Sequence, residues 1–306
     1  MKYFSMFAGI GGFEVGLENS KYDFECVGYS EVDKYAESIY RRHFPDHKGY
    51  GDATKINTEE LPDFELLVGG FPCQAFSYAG KRRGFDDTRG TLFFELARVL
   101  KHKRPRYFLF ENVKGLLSHN QGETFQTILE ILSNMGYNVT WEILNSKSFG
   151  VPQNRERIFI KGYLRDKCGQ EVFRPSRVRS EDIRKVSEVN QNKIQRLVKA
   201  PQSQRILSQY GVSSTLCSTL GGQGAATGLY YIADEGKDIY KDEKPVVRKL
   251  TPTETETLQG FPKNWTKYGE DGEQIADQQR YKCCGNAVTT IVVTYVINNM
   301  FEEELQ

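Results

Sequence analysis

The sequence predicts an α/β fold built on a doubly wound, mostly parallel sheet, and three observations carry that reading. Over residues 1 to 162, short apolar runs alternate with segments whose apolar residues recur at helical spacing, as in strand-helix-strand units. A glycine turn, Ala8-Gly9-Ile10-Gly11-Gly12, stands between the first run and the first helix. Glu31 follows about twenty residues later, at the end of the second run, where a nucleotide-type fold places a carboxylate for ribose hydroxyls.

Lys2-Tyr3-Phe4-Ser5-Met6-Phe7 reads as the first strand, and the glycines behind it let a ligand approach the backbone before a helix opens near Phe13. Cys26-Val27-Gly28-Tyr29-Ser30 is the second strand. A dinucleotide fingerprint would place a third glycine at position 14, where this chain has Glu14, a poor neighbour for a pyrophosphate. An adenosine ligand without phosphates therefore fits better than NAD. Gly51-Asp52-Ala53 reads as an acidic turn at a third strand end.

Leu66-Leu67-Val68 is a buried parallel strand running out into Gly69-Gly70-Phe71-Pro72-Cys73-Gln74. Pro72 fixes the backbone dihedral just before Cys73, so the chain itself directs the thiol. Taken alone, Cys73 is either a small buried hydrophobe or a nucleophile. Ser77 to Gly90, with Lys81-Arg82-Arg83, is too long and polar for a simple connector and reads as a lid or binding loop. Leu92, Phe93, Leu96, Val99 and Leu100 predict a helix over 91–103. Tyr107 to Val113 is a buried strand delivering Glu111, whose desolvation makes it a candidate proton donor; an ion pair or a cap is the alternative. A helix over 123–135 ends at Gly136, and Val139 to Leu144 is a further strand. Gln153-Asn154-Arg155-Glu156-Arg157 leads into the strand Ile158-Phe159-Ile160, and alternation puts Arg155 and Arg157 on one face, where both guanidiniums can converge on one ligand.

Composition shifts at about Tyr163. The expected organisation is a catalytic domain over 1–162, a small irregular region over 163–248 and a C-terminal segment, 249–306, returning to the first domain. From Lys161 to Arg205 there are twelve Lys and Arg against five Asp and Glu, although the whole chain carries only +1. Such asymmetry suits a basic nucleic-acid surface or a solvated helix face. Thr215 to Thr227, with Gly221-Gly222, offers close backbone approach or flexibility. Beyond Lys249 come a capping-like Thr253-Glu254-Thr255-Glu256, Cys284-Gly285-Asn286-Ala287-Val288 and a helix over 288–301. The six cysteines form no C-x-x-C pair and have no zinc-type histidine spacing, so neither disulfides nor a metal is expected; Cys283 and Cys284 have no assigned role. No apolar run approaches the ~20 residues of a membrane span, and no signal-peptide pattern opens the chain, so a cytoplasmic protein is expected, nucleoid-associated if bacterial.

Phe7-Ala8-Gly9-Ile10-Gly11-Gly12, Gly70-Phe71-Pro72-Cys73-Gln74, Glu111-Asn112-Val113, Gln153-Asn154-Arg155-Glu156-Arg157 and Gly285-Asn286-Ala287-Val288, in this order and spacing, closely resemble the cytosine carbon-5 DNA methyltransferases of bacterial or phage type. The match runs from Tyr3 to Val296, and only about 164–212 lacks family pattern. The resemblance implies a Rossmann-like sheet of the class I methyltransferase type with a smaller target-recognition region. It implies Cys73 as the nucleophile at carbon 6, Glu111 on the exocyclic amine and ring nitrogen 3, and Arg155 and Arg157 facing the pyrimidine. It assigns Phe7, Gly9, Gly11, Glu31, Asp52, Pro72 and Asn286 to S-adenosylmethionine, which becomes S-adenosylhomocysteine. It also implies base flipping from double-stranded DNA, with Ser77, Lys81, Arg82, Arg83, Gly221 and Gly222 on the nucleic acid. A monomer is expected, with a cognate restriction endonuclease as a possible partner. Ser5 stands where an acidic residue is common and Ala287 where a serine is frequent, which implies weaker polar contact with the cofactor. The short variable region implies a short recognition sequence or a partner completing the contact.

Two other function classes remain at this point. One is a tRNA cytosine carbon-5 methyltransferase, disfavoured because the Cys-Phe-Thr stretch of that branch is absent. The other is a non-enzymatic nucleic-acid-binding regulator, disfavoured because Cys73, Glu111, Arg155 and Arg157 are all present.

Overall fold

The computed structural model describes residues 1–72, 92–165, 206–208, 212–216, 229–232 and 246–302. Cys73, Ser77, Lys81, Arg82, Arg83, Gly221, Gly222 and most of the basic stretch lie outside the described residues.

The central sheet comprises β1 Lys2–Met6, β2 Glu25–Ser30, β3 Leu66–Gly70, β4 Tyr107–Val113, β5 Tyr137–Asn145 and β6 Glu156–Leu164, in the order β2-β1-β3-β4-β6-β5. The first four pair in parallel, and β6 runs antiparallel between β4 and β5. The helices are α1 Gly12–Glu18, α2 Lys34–His43, α3 Leu92–Lys103, α4 Glu123–Asn134, α5 Pro252–Leu258, α6 Asp277–Asn286 and α7 Thr290–Glu302. Alternation along each strand divides the apolar side chains between two cores. Leu67, Phe108 and Phe110 pack with Leu96 and Leu100 of α3 and Ile128 of α4. Leu66, Val68 and Leu109 pack on the opposite face with Phe13 and Leu17 of α1 and Val292, Val293 and Val296 of α7. The C-terminal helix thus returns to cover the sheet beside the first one, as a doubly wound sheet requires.

Several expectations are corrected. No strand ends at Gly51-Asp52-Ala53: Gly49 makes a single parallel bridge to Tyr29, and beyond Gly51, held at φ 61°, the Asp52 side chain caps a 3-10 turn over Ala53–Lys55. The capping box of α5 is formed by Thr251 and Glu254 with Pro252 in the first turn, which leaves Thr253 inside the helix. The last helix begins at Thr290 rather than Val288. Helix α2 went unread because it buries only Ala36, Ile39 and Tyr40 among charged neighbours. The second region is not wholly irregular, since β7 Ile206–Ser208, β8 Leu229–Ile232 and β9 Val246–Lys249 form a small sheet.

Candidate active site

Strand order reverses between β1 and β3, and open α/β sheets hold ligands outside the carboxyl ends of the strands at such a point. Met6 aligns with Gly69 and Gly70 with Glu111, so the turn after β1, the exit of β3 and the Glu111 carboxylate lie at one level. Across the antiparallel pair Phe159 aligns with Glu111 and Arg157 with Val113, which puts Arg157 on the same face as Glu111. A cleft of about 720 Å³ opens there. Its lining brings together Glu111, Arg155, Arg157 and Pro72 with Phe7, Gly9, Glu31 and Asn286.

Glu111 is buried, and its Oε1 lies 2.8 Å from Arg157 Nε. Burial raises its pKa above the usual carboxylate value, while the charges of Arg157 and then Arg155 pull it partly back. The ion pair that the sequence offered as one reading of Glu111 is present, and burial shifts its carboxyl in the direction that a proton donor needs.

The two arginines part company. Arg155 is 1% exposed and donates through Nη1 to the Leu216 carbonyl at 3.0 Å and through Nη2 to the carbonyls of Gly285 at 3.0 Å and Ala287 at 2.8 Å. Convergence of both guanidiniums on one ligand is not what the structure presents. Arg155 ties the segment around Leu216 and the end of α6 to the start of β6, and its charge also acts on Glu111.

At the turn after β1, Phe7 (φ 57°) and Gly9 (φ 59°) take the left-handed conformation, and a Cβ on Gly9 would meet nothing within 4 Å. The backbone there is open to a ligand. Glu31 Oε2 accepts from the Gly9 amide at 2.8 Å, and Oε1 accepts from the amides of Val32 and Asp33, each at 2.8 Å. Asn286, at the end of α6, is exposed and lines the cleft. Gly11 and Asp52 lie outside that lining: Gly11 is the N-cap of α1, against the Phe44 ring, and Asp52 is engaged by the amide and hydroxyl of Thr54. Glu14 does not face the cleft either. It is fully buried and accepts from the Tyr40 hydroxyl at 3.1 Å, so its charge is no obstacle to a ligand on the turn.

Sequence reasoning missed Asn112 and Trp265. Asn112, 1% exposed, donates to the Phe71 carbonyl at 2.8 Å and so holds the exit of β3 just before Pro72. A polar residue next to Glu111 in an apolar strand was the available signal. The Trp265 indole donates to the Ile10 carbonyl at 2.8 Å and steadies the glycine turn from the far end of the chain, a contact no local pattern reveals.

The sequence matches the family model described as C-5 cytosine-specific DNA methylase over residues 1–220 and 179–302. It is 37% identical over 315 residues to Type II methyltransferase M1.ScrFI of Lactococcus lactis subsp. cremoris, across 98% of this chain and 78% of that protein. It is 32% identical over 327 residues to Type II methyltransferase M.HhaI of Haemophilus parahaemolyticus, across 98% of this chain and 94% of that protein. A crystal structure of S. pombe Dnmt2 methyltransferase matches with a TM-score of 0.74 at 20% identity, over 99% of this chain and 98% of that one, a likeness of fold. Sequence matches running through both the glycine turn and the Asn286 helix leave one conclusion: the chain belongs to the C-5 cytosine-specific DNA methylase family.

Proposed function

We propose that this enzyme methylates carbon 5 of a cytosine flipped out of double-stranded DNA, through a covalent bond between Cys73 and carbon 6 of the base. The observation that carries this reading is the placement of the buried Glu111–Arg157 pair in the same cleft as Gly9, Glu31 and Asn286. A carboxylate has roughly four lone-pair directions, so the three amides on Glu31 leave one for a ribose hydroxyl. With the open backbone at Gly9, these residues fit S-adenosylmethionine, which when bound supplies an electrophilic methyl group and leaves as S-adenosylhomocysteine.

Cytosine carbon 5 is a poor nucleophile until a thiolate adds to carbon 6. Cys73 follows Pro72 in the sequence, and Asn112 anchors the Phe71 carbonyl just before that proline, so β3 and β4 together hold the chain that leads to the thiol. Glu111 protonates ring nitrogen 3 and accepts from the exocyclic amine, which draws the ring electrons away from carbon 6 as the sulfur bonds. Arg157 fixes the direction of that carboxyl. Loss of the carbon-5 proton and expulsion of the Cys73 thiolate then restore the ring. Residues 1–162 and 249–306 form the catalytic body in this reading, and 163–248 carry target recognition. Lys81, Arg82 and Arg83 bind phosphates, and Ser77, Gly221 and Gly222 lie against the DNA. The enzyme works as a cytoplasmic monomer, and the type II designation of its relatives supports a cognate restriction endonuclease.

The test is incubation with methyl-labelled S-adenosylmethionine and, separately, mixed-sequence duplex DNA or total tRNA, using wild type and Cys73→Ser. Label on DNA cytosine alone, lost in the variant, is expected. Label on tRNA, or on neither substrate, would sink the reading. A duplex containing 5-fluorocytosine should trap Cys73 covalently, because no carbon-5 proton is available for the elimination.

A further inference from the structure

The cleft walls come from opposite ends of the chain, and one ion pair clasps them together. Glu31, Asp33 and Ala36 line one side, and Cys283, Gly285 and Asn286 line the other. Lys282, immediately before Cys283, donates to Asp33 Oδ2 at 2.5 Å. The other Asp33 oxygen caps α2 through the amides of Tyr35 and Ala36, at 3.0 and 3.2 Å. The Asp33 amide in turn donates to Glu31 Oε1, whose partner oxygen accepts from Gly9. One hydrogen-bonded chain thus runs from Lys282 through Asp33 and Glu31 to the glycine turn. Burial alone would raise the Asp33 pKa, but Lys282 and the two helix amides hold it below the usual value, and the same hydrogen bond raises Lys282. Both groups are therefore charged at neutral pH.

We propose that Lys282 is a positioning residue for the cofactor cleft: by gripping Asp33 it fixes Glu31 for its ligand while anchoring the helix end that presents Asn286. The inference rests on the S-adenosylmethionine reading of the cleft. Lys282 lies outside the cleft lining, so its effect on affinity passes through Asp33. The pair is partly exposed, with side-chain exposures of 37% and 26%, which sets a modest effect.

The test is calorimetric titration with S-adenosylhomocysteine, alongside thermal unfolding of the free protein. Lys282→Met should weaken binding about three- to fivefold, as expected for breaking a half-exposed pair. Asp33→Asn, which keeps a good helix cap, should give a similar loss, and the double variant should lose no more than either single one. Lys282→Arg should recover part of the affinity. Additive losses, or a loss with Lys282→Met that Asp33→Asn does not share, would show that Lys282 acts apart from Asp33 and overturn the proposal. Lowered thermal stability with unchanged affinity would make the pair purely structural and overturn it equally. A wild-type protein that binds no S-adenosylhomocysteine would sink the cofactor reading itself, and the proposal with it.

Discussion

Glu111 Oε1 and Arg157 Nε meet at 2.8 Å across two antiparallel strands, so sheet register rather than a loop sets the pair. After burial, Arg157 is the largest influence on the Glu111 pKa, and it acts downward. Arg157→Met should therefore let burial push Glu111 higher still. In the proposed mechanism the protonated carboxyl is the active form, so the alkaline limb of kcat/KM should move to higher pH, while kcat falls about 100-fold with the loss of orientation. A pH-rate profile reads both, and an unmoved limb would separate Glu111 from the titration.

Arg155 should behave differently, because its role is to satisfy backbone. Arg155→Met leaves the buried carbonyls of Leu216, Gly285 and Ala287 without their guanidinium donors and should cost about 3–5 kcal/mol of stability. Urea unfolding measures this. A loss near the ~1 kcal/mol typical of point substitutions would mean the carbonyls find other donors.

The contrast between the two arginines marks what the sequence could tell. The glycine turn and the position of Glu31 depend on neighbours within one strand-helix-strand unit, and β3 on its own apolar run, so they were legible. The unbroken apolar run Tyr107 to Phe110 also placed Glu111 at a strand mouth. The partners of Arg155 stand 61 to 132 residues away, and Lys282 meets Asp33 across 249, distances over which no period or spacing speaks. The inward turn of Glu14 depends on the rotation of α1 against β1 and α2, which exists only once the layers have packed.

Glu14 yields a stability prediction. Its carboxyl is fully buried, and burial, opposed in part by the hydroxyls of Ser5 and Tyr40, raises its pKa from 4.5 to about 7. The folded state thus binds the proton more tightly than the unfolded chain. The resulting stability is fully present below pH 4.5 and is lost as pH rises through about 7. The loss by pH 8 amounts to about 3 kcal/mol on the scale of 1.36 kcal/mol per pKa unit. Glu14→Gln should remove this decline, so the variant should gain on wild type in urea unfolding between pH 5 and pH 8. Parallel pH dependence in the two proteins would show that Glu14 does not change its protonation on unfolding.

Asn112 offers the sharpest separation of thiol placement from cofactor binding. Its Nδ2 holds the Phe71 carbonyl, and its Oδ1 accepts from the Val113 amide at 2.8 Å, so one side chain links the exit of β3 to the end of β4. Asn112→Ala removes the anchor just before Pro72 and costs about 1 kcal/mol of stability. The larger effect should fall on the chemistry. A nucleophile displaced by about 1 Å loses on the order of 100-fold in rate, so covalent trapping on 5-fluorocytosine duplex should slow by 10- to 100-fold. Affinity for S-adenosylhomocysteine should stay within about twofold of wild type, because Asn112 makes no bond to Gly9, Glu31 or Asn286. Single-turnover trapping and calorimetry decide the point. Equal trapping rates would show that the Asn112 anchor on Phe71 has no part in the proposed attack.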